Sequence, residues 1–367
     1  MKYLWAFMSA VILVAGCQAH PPPADSPAPA PLAGVEPLSP TFVALPRLVP
    51  EGQFFRLASG ARWTAIEASD FNLYNRFLAG DIDAVLRQRA EAGFNILRVF
   101  TAYDICPTGT ASDGQPCQPI GRLVPREHPD YYARLPQFLQ AVARHGMYVE
   151  LTAFTGPYGS LFSHDDEMVA HWDQLQAAVR DSTNVLLELI NEHDNPPNLG
   201  VPLERMERPA APIVASHGSS VQDGLPLQPY WDYATFHPGG GDDWPARTAH
   251  DGMSRVADSG HVPVIANETT RFPDLDSIPA HAHDAAAGAA LLLAGACYHS
   301  VHGKTSELWT GVELDAARAW AAGARSVPLE FQAGLFVHRH DLEMDDVSRA
   351  YSRRLPDGRE WIVRIRP

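Results

Sequence analysis

Short apolar runs rich in β-branched and aromatic residues recur along the chain. They fall at Trp63–Ile66, Asn95–Phe100, Tyr148–Phe154, Val185–Ile190, Ile213–Ala215, Tyr233–Phe236, Val262–Ala266 and Ala296–His299, and they predict eight strands. Between several of them the period changes to that of a helix. Ile82, Val85, Leu86 and Ala90 share one face, Leu135, Phe138, Leu139 and Val142 a second, and Met168, Trp172, Leu175 and Val179 a third. Gly93 and Gly146 stand where helix C-termini favour a residue tolerant of positive φ. Strands alternating with helices imply a parallel sheet. Eight of them between residues 52 and 325 match the ~250-residue size of a (β/α)8 TIM barrel better than an open doubly wound sheet. The first strand is followed by no phosphate-binding glycine fingerprint. His217–Tyr230 has no helical period, so the crossover from the fifth to the sixth strand is expected to lack its helix.

The segments flanking this pattern read as β-structure. Phe54, Phe55 and Leu57, ahead of Ser59-Gly60, suggest a small hairpin that closes the barrel floor. After a last helix at Leu314–Ala322, Ser348–Pro367 alternates around Pro356-Asp357-Gly358, a hairpin signal. Residues 326–367 are therefore expected to form a β-rich extension packed on the barrel, being too short to bury a core of their own.

The N-terminus adds an address. Lys2 is followed by an apolar run, Tyr3–Val14, too short for a membrane-spanning helix and placed as in a secretory signal. It ends in Val14-Ala15-Gly16-Cys17, which resembles the bacterial lipobox, so residues 1–16 are expected to be a lipoprotein signal peptide and Cys17 the lipidated first residue of the mature chain. Gln18 rather than Asp at the next position implies the outer membrane. Residues 17–51 then read as a lipidated Cys and a Pro/Ala-rich tether, since residues 18–50 hold ten of the 32 prolines. In an oxidising compartment Cys106 and Cys117, in one Gly/Pro/Asp-rich loop, are expected to pair as a disulfide, with two free thiols as the alternative; Cys297 reads as a buried small hydrophobe. A net charge of −15 from 43 acidic against 28 basic residues argues against nucleic acid as a partner.

Candidate chemistry sits at two strand ends. The fourth run reads Val185-Leu186-Leu187-Glu188-Leu189-Ile190-Asn191-Glu192 and breaks into His193-Asp194-Asn195-Pro196-Pro197, so Glu192 lies at the carboxyl end of a barrel strand, where barrel active sites sit. The seventh run ends in Asn267-Glu268-Thr269-Thr270, which puts a second carboxylate on the same rim, across the mouth. Retaining glycoside hydrolysis needs such a pair, one carboxyl protonating the leaving oxygen and the other, about 5–5.5 Å away, attacking the anomeric carbon. Glu188, four residues deeper on the strand, reads as an ion-paired interior residue, and Glu67 and Asp104 are reserve candidates.

With these residues the chain resembles the glycoside hydrolases of clan A, which carry their glutamates on strands four and seven, and is nearest in style to the cellulase-like family 5. The Leu186–Glu192 run carries the likeness, which spans roughly residues 52–325. The resemblance implies Glu192 as acid/base, Glu268 as nucleophile, Asn191 as donor to the substrate 2-hydroxyl, Arg98 as the strand-two arginine that orients the nucleophile, and His237 at the strand-six aromatic or histidine position. Tyr298 and Trp309, at and after strand eight, are expected to contact the sugar, and Trp231 and Trp244 are further stacking candidates, each with core or loop-anchor packing as its alternative. His193 stands where the family has Pro, and Phe154-Thr155 ends strand three without the usual His. The expected activity is retaining β-glycoside hydrolysis of a poly- or oligosaccharide by double displacement, with no metal or organic cofactor. The alternatives are a non-catalytic glycan-binding surface lipoprotein on the same barrel and a structural or adhesive surface protein. His281-Ala282-His283-Asp284 resembles a metal motif but opens an Ala-rich helix, where solvated histidines are the better account. Cells fed a fatty-acid analogue should label the wild-type chain and leave Cys17→Ala unlabelled; label retained by that variant would end the lipoprotein reading.

Overall fold

The structure, a computed structural model, describes residues 43–80, 82–104, 122–155, 161–195, 200–220, 226–238, 244–258, 262–269, 279–300, 303, 305–344 and 348–366. The signal segment, Cys17, Cys106 and Cys117 lie outside them. All described residues fall in one compact unit, Phe42–Pro367.

The chain enters through three short antiparallel strands, β1 (Leu48–Glu51), β2 (Phe54–Leu57) and β3 (Arg62–Trp63). The barrel follows as β4 (Ala65–Ser69), β5 (Ile96–Phe100), a two-stranded ribbon of β6 (Tyr103–Asp104) and β7 (Arg122–Leu123), then β8 (Tyr148–Phe154), β9 (Val185–Ile190), β10 (Val214–Gly218), β11 (Ala234–Phe236), β12 (Val264–Ala266) and β13 (Gly295–Tyr298). Its ladder is parallel throughout, in the order β10-β9-β8-β5-β4-β13-β12-β11. The seam between β10 and β11 is bridged by Asp232 N and Tyr233 N donating to Ala215 O at 2.9 and 3.4 Å. The result is a nearly closed (β/α)8 barrel.

Two of the runs read from sequence, Tyr148–Phe154 and Val185–Ile190, coincide with strands end to end. The first strand begins later than its apolar run, because Trp63 pairs back against Phe55 in the antiparallel sheet and leaves Ala65–Ser69 to the barrel. Around the barrel lie α1 (Leu73–Ala79), α2 (Asp83–Ala92), α3 (Tyr131–Ala143), α4 (Asp165–Val179), α5 (Trp244–Asp258), α6 (Pro279–Leu292) and α7 (Gly311–Ser326). Gly93 caps α2 in the left-handed region at φ 107°. Among the described residues the crossover from β10 to β11 has no helix, as its sequence implies, and neither does that from β9 to β10, where only a 3-10 turn, Leu203–Arg205, forms.

The tether expected up to residue 51 ends sooner. Val43 N donates to Gln140 Oε1 at 3.1 Å, and Leu48 is only 2 % exposed, so the last part of the proline-rich stretch belongs to the fold. Leu48, Phe55 and Trp63 join Ala65, Ile96, Tyr148, Leu186, Val214, Tyr233 and Ile265 in one apolar cluster that plugs the barrel floor. The C-terminal extension is an antiparallel sheet, β14 (Leu335–His338), β15 (Arg349–Arg354) and β16 (Glu360–Ile365), with the expected turn at Pro356-Asp357-Gly358. It is fastened by Arg353, whose guanidinium donates to the carbonyls of Leu291 and Leu292 at the C-terminal end of α6, at 2.9 and 3.3 Å. Alanine-rich α6 is apolar nearly all round because it lies between α7 and this sheet. Phe55 packs edge-on against Trp63 and Tyr233 at 6.0 and 5.9 Å, so Phe55→Ala should cost about 3–5 kcal/mol in urea unfolding through one transition. A loss below about 1 kcal/mol would show that the floor sheet is not part of the cooperative barrel.

Candidate active site

The period of two along each strand builds the interior in layers. Two residues beyond each floor residue, on the same strand face, comes the next inward side chain. Ala65 is thus followed by Glu67, Ile96 by Arg98, Tyr148 by Glu150, Leu186 by Glu188, Tyr233 by Thr235 and Ile265 by Asn267. All six of these polar residues are fully buried. Arg98 is their hub. Its Nη2 donates to Glu188 Oε2 and to Asn191 Oδ1, both at 2.7 Å, its Nη1 to Glu268 Oε1 at 3.1 Å, and its Nε lies 3.4 Å from Glu150 Oε2. Glu188 also accepts from Thr152, Thr235 and Asn267 at 2.7, 2.7 and 2.8 Å. Burial disfavours its charge, yet the guanidinium and these donors hold its carboxyl below the ordinary value. Glu150, accepting from Tyr233 at 2.7 Å and Asn267 at 3.1 Å, is pushed up to about 7 by burial and by the Glu188 charge. Burial and Glu150 raise Glu67 well above the carboxylate range. One cation therefore serves a layer in which Glu150 and Glu67 hold a proton more tightly than an ordinary carboxyl does.

Directly above this layer lies the rim. Glu192 ends strand four at φ 48°, a left-handed conformation that a non-glycine residue adopts at a cost of order 1–3 kcal/mol. Its neighbours hold it there. His193 N donates to Ser219 O at 2.9 Å, and Asn195 Nδ2 donates to Glu192 Oε2 at 2.9 Å. The end of β10 comes close enough for this because Gly218, at φ 115°, has no Cβ; one placed there would meet Ile190 O at 2.0 Å. Asn191 gives its Oδ1 to Arg98, which fixes its amide with Nδ2 as the donor end.

His237, following β11, joins the two glutamates. Its Nδ1 lies 3.1 Å from Glu192 Oε1 and 3.4 Å from Glu268 Oε2, and its Nε2 lies 3.3 Å from Ser219 Oγ. Burial works against the imidazolium, but the carboxylates of Glu268 and Glu192 outweigh it and raise His237 above its usual value. The offered atoms of Glu192, His237 and Glu268 all lie within 4.8 Å of one another. That separation suits a retaining carboxyl pair, whereas an inverting pair stands about 6.5–9.5 Å apart. The same three side chains could geometrically share a cation. Glu268 already has a buried cation against it in Arg98.

Glu192, Glu268, Asn191, Arg98 and His237 are thus brought together, and two other residues are not. The expectation that Tyr298 and Trp309 contact sugar is corrected. Tyr298 points outward from β13, is fully buried and donates its hydroxyl to Glu313 O at 3.0 Å. Trp309, 1 % exposed, packs between Phe94 and Tyr298 beneath the Arg89 guanidinium. Trp231 is half-buried and stacked on His217 at 4.8 Å and Trp172 at 6.1 Å. Of the reserve acids, Asp104 pairs with Arg122 at 3.3 Å and Glu67 is sealed in the interior. Cys297 is buried, as its apolar run implied. His283 pairs with Asp284 at 3.2 Å near the start of α6. Sequence reasoning missed Asn267, Asn195 and Ser219. A signal existed for the first, since an Asn-Glu pair ends both strand four and strand seven; none marks the other two.

Residues 57–220 match the family model for cellulase (glycosyl hydrolase family 5). The match covers the first five barrel strands with Arg98 and Glu192 and stops short of Glu268. A crystal structure of a glycoside hydrolase family 5 protein from Bacteroides vulgatus ATCC 8482 is similar over 85 % of this chain and 80 % of its own, at 15 % identity and TM-score 0.54. A second structure, described as a glycoside hydrolase, is similar over 84 % and 81 %, at 14 % identity and TM-score 0.56. No curated protein matches the chain. The resemblance to the clan A glycoside hydrolases thus extends from the strand-four sequence to the fold. The stabilisation supplied by the His237 imidazolium should be complete below the ordinary histidine value of about 6.5 and be lost as pH rises through its raised native value. The wild-type thermal midpoint should therefore fall across that window, and His237→Gln should flatten that part of the curve; an identical profile in the variant would refute a charged bridge.

Proposed function

We propose that this chain, alike in fold to family 5 glycoside hydrolases, is a retaining β-glycoside hydrolase that cleaves a poly- or oligosaccharide by double displacement. One observation carries the reading: two rim glutamates at the ends of strands four and seven, within 4.8 Å of each other, one gripped by a buried guanidinium and the other not. The asymmetry assigns the roles. Arg98 stabilises the Glu268 carboxylate as nucleophile, and Glu192, bound to Asn195 and His237, protonates the departing oxygen and later takes the proton of the attacking water. The donor end of Asn191 faces the sugar 2-hydroxyl in this reading, a contact that strengthens as positive charge develops on the ring. Extending the proposal to the whole chain, the barrel is carried by a lipid on Cys17 at the outer membrane, where it meets polymeric sugar.

Release of reducing ends from a panel of β-linked polysaccharides tests the proposal. Glu192→Gln and Glu268→Gln should each lower turnover by roughly 10³-fold or more, and proton NMR of the first-formed product should show retained β-configuration. An inverted product would refute the double displacement. Saccharide binding without turnover by the wild type would replace the enzyme with the glycan-binding alternative.

A further inference from the structure

The C-terminal sheet carries a side-chain cluster that the barrel chemistry does not use. His338 ends β14, His340 opens the single 3-10 turn that follows, and Glu343 leaves that turn. The spacing His-x-His-x-x-Glu folds all three side chains back on one another. His338 Nε2 lies 2.7 Å from Glu343 Oε1, His340 Nδ1 lies 3.2 Å from Glu343 Oε2, and the two imidazole rings lie with centroids 3.6 Å apart, tilted by 37°. One donor atom from each residue falls within 4.8 Å of the other two. We propose that His338, His340 and Glu343 form a binding site for a divalent cation of the zinc class, which staples the turn to the extension's sheet.

Donor chemistry selects the ion. Two imidazoles and one carboxylate suit zinc and its late first-row neighbours, whereas calcium and magnesium favour all-oxygen shells. Bonds of about 2.0–2.2 Å to a tetrahedral ion put its ligand atoms about 3.3–3.6 Å apart, so three donor atoms that already lie within 4.8 Å of one another need draw together by at most about 1.5 Å to admit the ion. The surroundings are arranged to tolerate its charge. Arg339, between the two histidines in sequence, is directed elsewhere: it donates to Asp341 at 2.6 and 2.8 Å and to Glu360 at 3.0 Å, so its own charge is compensated. The Tyr351 ring lies 4.9 Å from that of His338 and limits how it can turn. His340 is 73 % exposed, which leaves ions a path from solvent, while His338 and Glu343 are largely covered. Three protein ligands on a partly open face leave the fourth tetrahedral position to water.

The test is a titration of the metal-stripped full-length protein with zinc chloride, followed by calorimetry, and with cobalt chloride, followed by visible absorption. We expect one equivalent of zinc to bind and raise the thermal midpoint, and cobalt to show the intense d–d bands of a four-coordinate nitrogen/oxygen site. His340→Ala, an exposed position whose loss costs the fold little, should weaken binding at least about 100-fold, and Glu343→Gln should do the same with unchanged circular dichroism. The Glu192→Gln/Glu268→Gln double variant should bind as the wild type does. The proposal is overturned if no saturable one-to-one uptake occurs, if His340→Ala binds zinc undiminished, or if uptake disappears only in the double variant, which would move the ion to the barrel mouth.

Discussion

A single guanidinium in the barrel interior is the constraint around which the site is organised. Arg98 is wholly buried and has no water to hydrate it, so its charge is tolerable only because Glu188, Glu268, Glu150 and Asn191 surround it. Those partners come from three separate strands and their ends: the strand pleat turns Glu150 and Glu188 inward, and Asn191 and Glu268 follow just past the ends of β9 and β12. Their donors and acceptors are satisfied only when β5, β8, β9 and β12 stand in register. The ion-pair layer is therefore also a gauge of barrel closure, since a slip of one residue would turn the whole set to the wrong face.

Above that layer, two chemically identical groups have unequal surroundings. Glu268 touches the guanidinium; Glu192 sits instead on a strained backbone turn, bonded to an amide and shared with His237. Environment, not residue type, distinguishes the two carboxyls. The same layer keeps Glu150 and Glu67 raised, because one cation cannot hold every neighbouring carboxyl ionised in a water-poor interior. The rim thus rests on a floor whose protons are set by burial.

The barrel's floor and one flank are covered by different means. At the bottom, Leu48, Phe55 and Trp63 plug the floor with apolar surface drawn from stretches that read as tether, hairpin and first strand. At the side, α6 is made of residues so small that α7 and the terminal sheet approach it closely, and Arg353 ties that sheet to the helix's last carbonyls. The proline-rich composition hid the first strand, because Pro46 and Pro50 flank Leu48 and dilute any period-two signal.

The sequence by itself determined the barrel, the number of its strands and the position of both rim glutamates. Eight apolar runs with helical spacing between most of them leave few architectures, and a carboxylate just past a strand's end can go only to the rim. It also placed Glu188 inside, since Glu188 lies four residues before Glu192 on the same strand. Tertiary structure alone decided that two aromatics turn away from the cleft: Tyr298 and Trp309 stand at and after the end of the eighth strand as a sugar platform would, yet the pleat sends one outward and the α2 side of the barrel covers the other. It alone decided that His237 spans both glutamates and that Ser219 meets His193 and His237, for these contacts join residues from different strands and loops; Asn195 reaches Glu192 within one turn. Local pattern fixes which face a residue is on; what it meets there depends on segments far away in the chain, and that is settled only when the barrel closes.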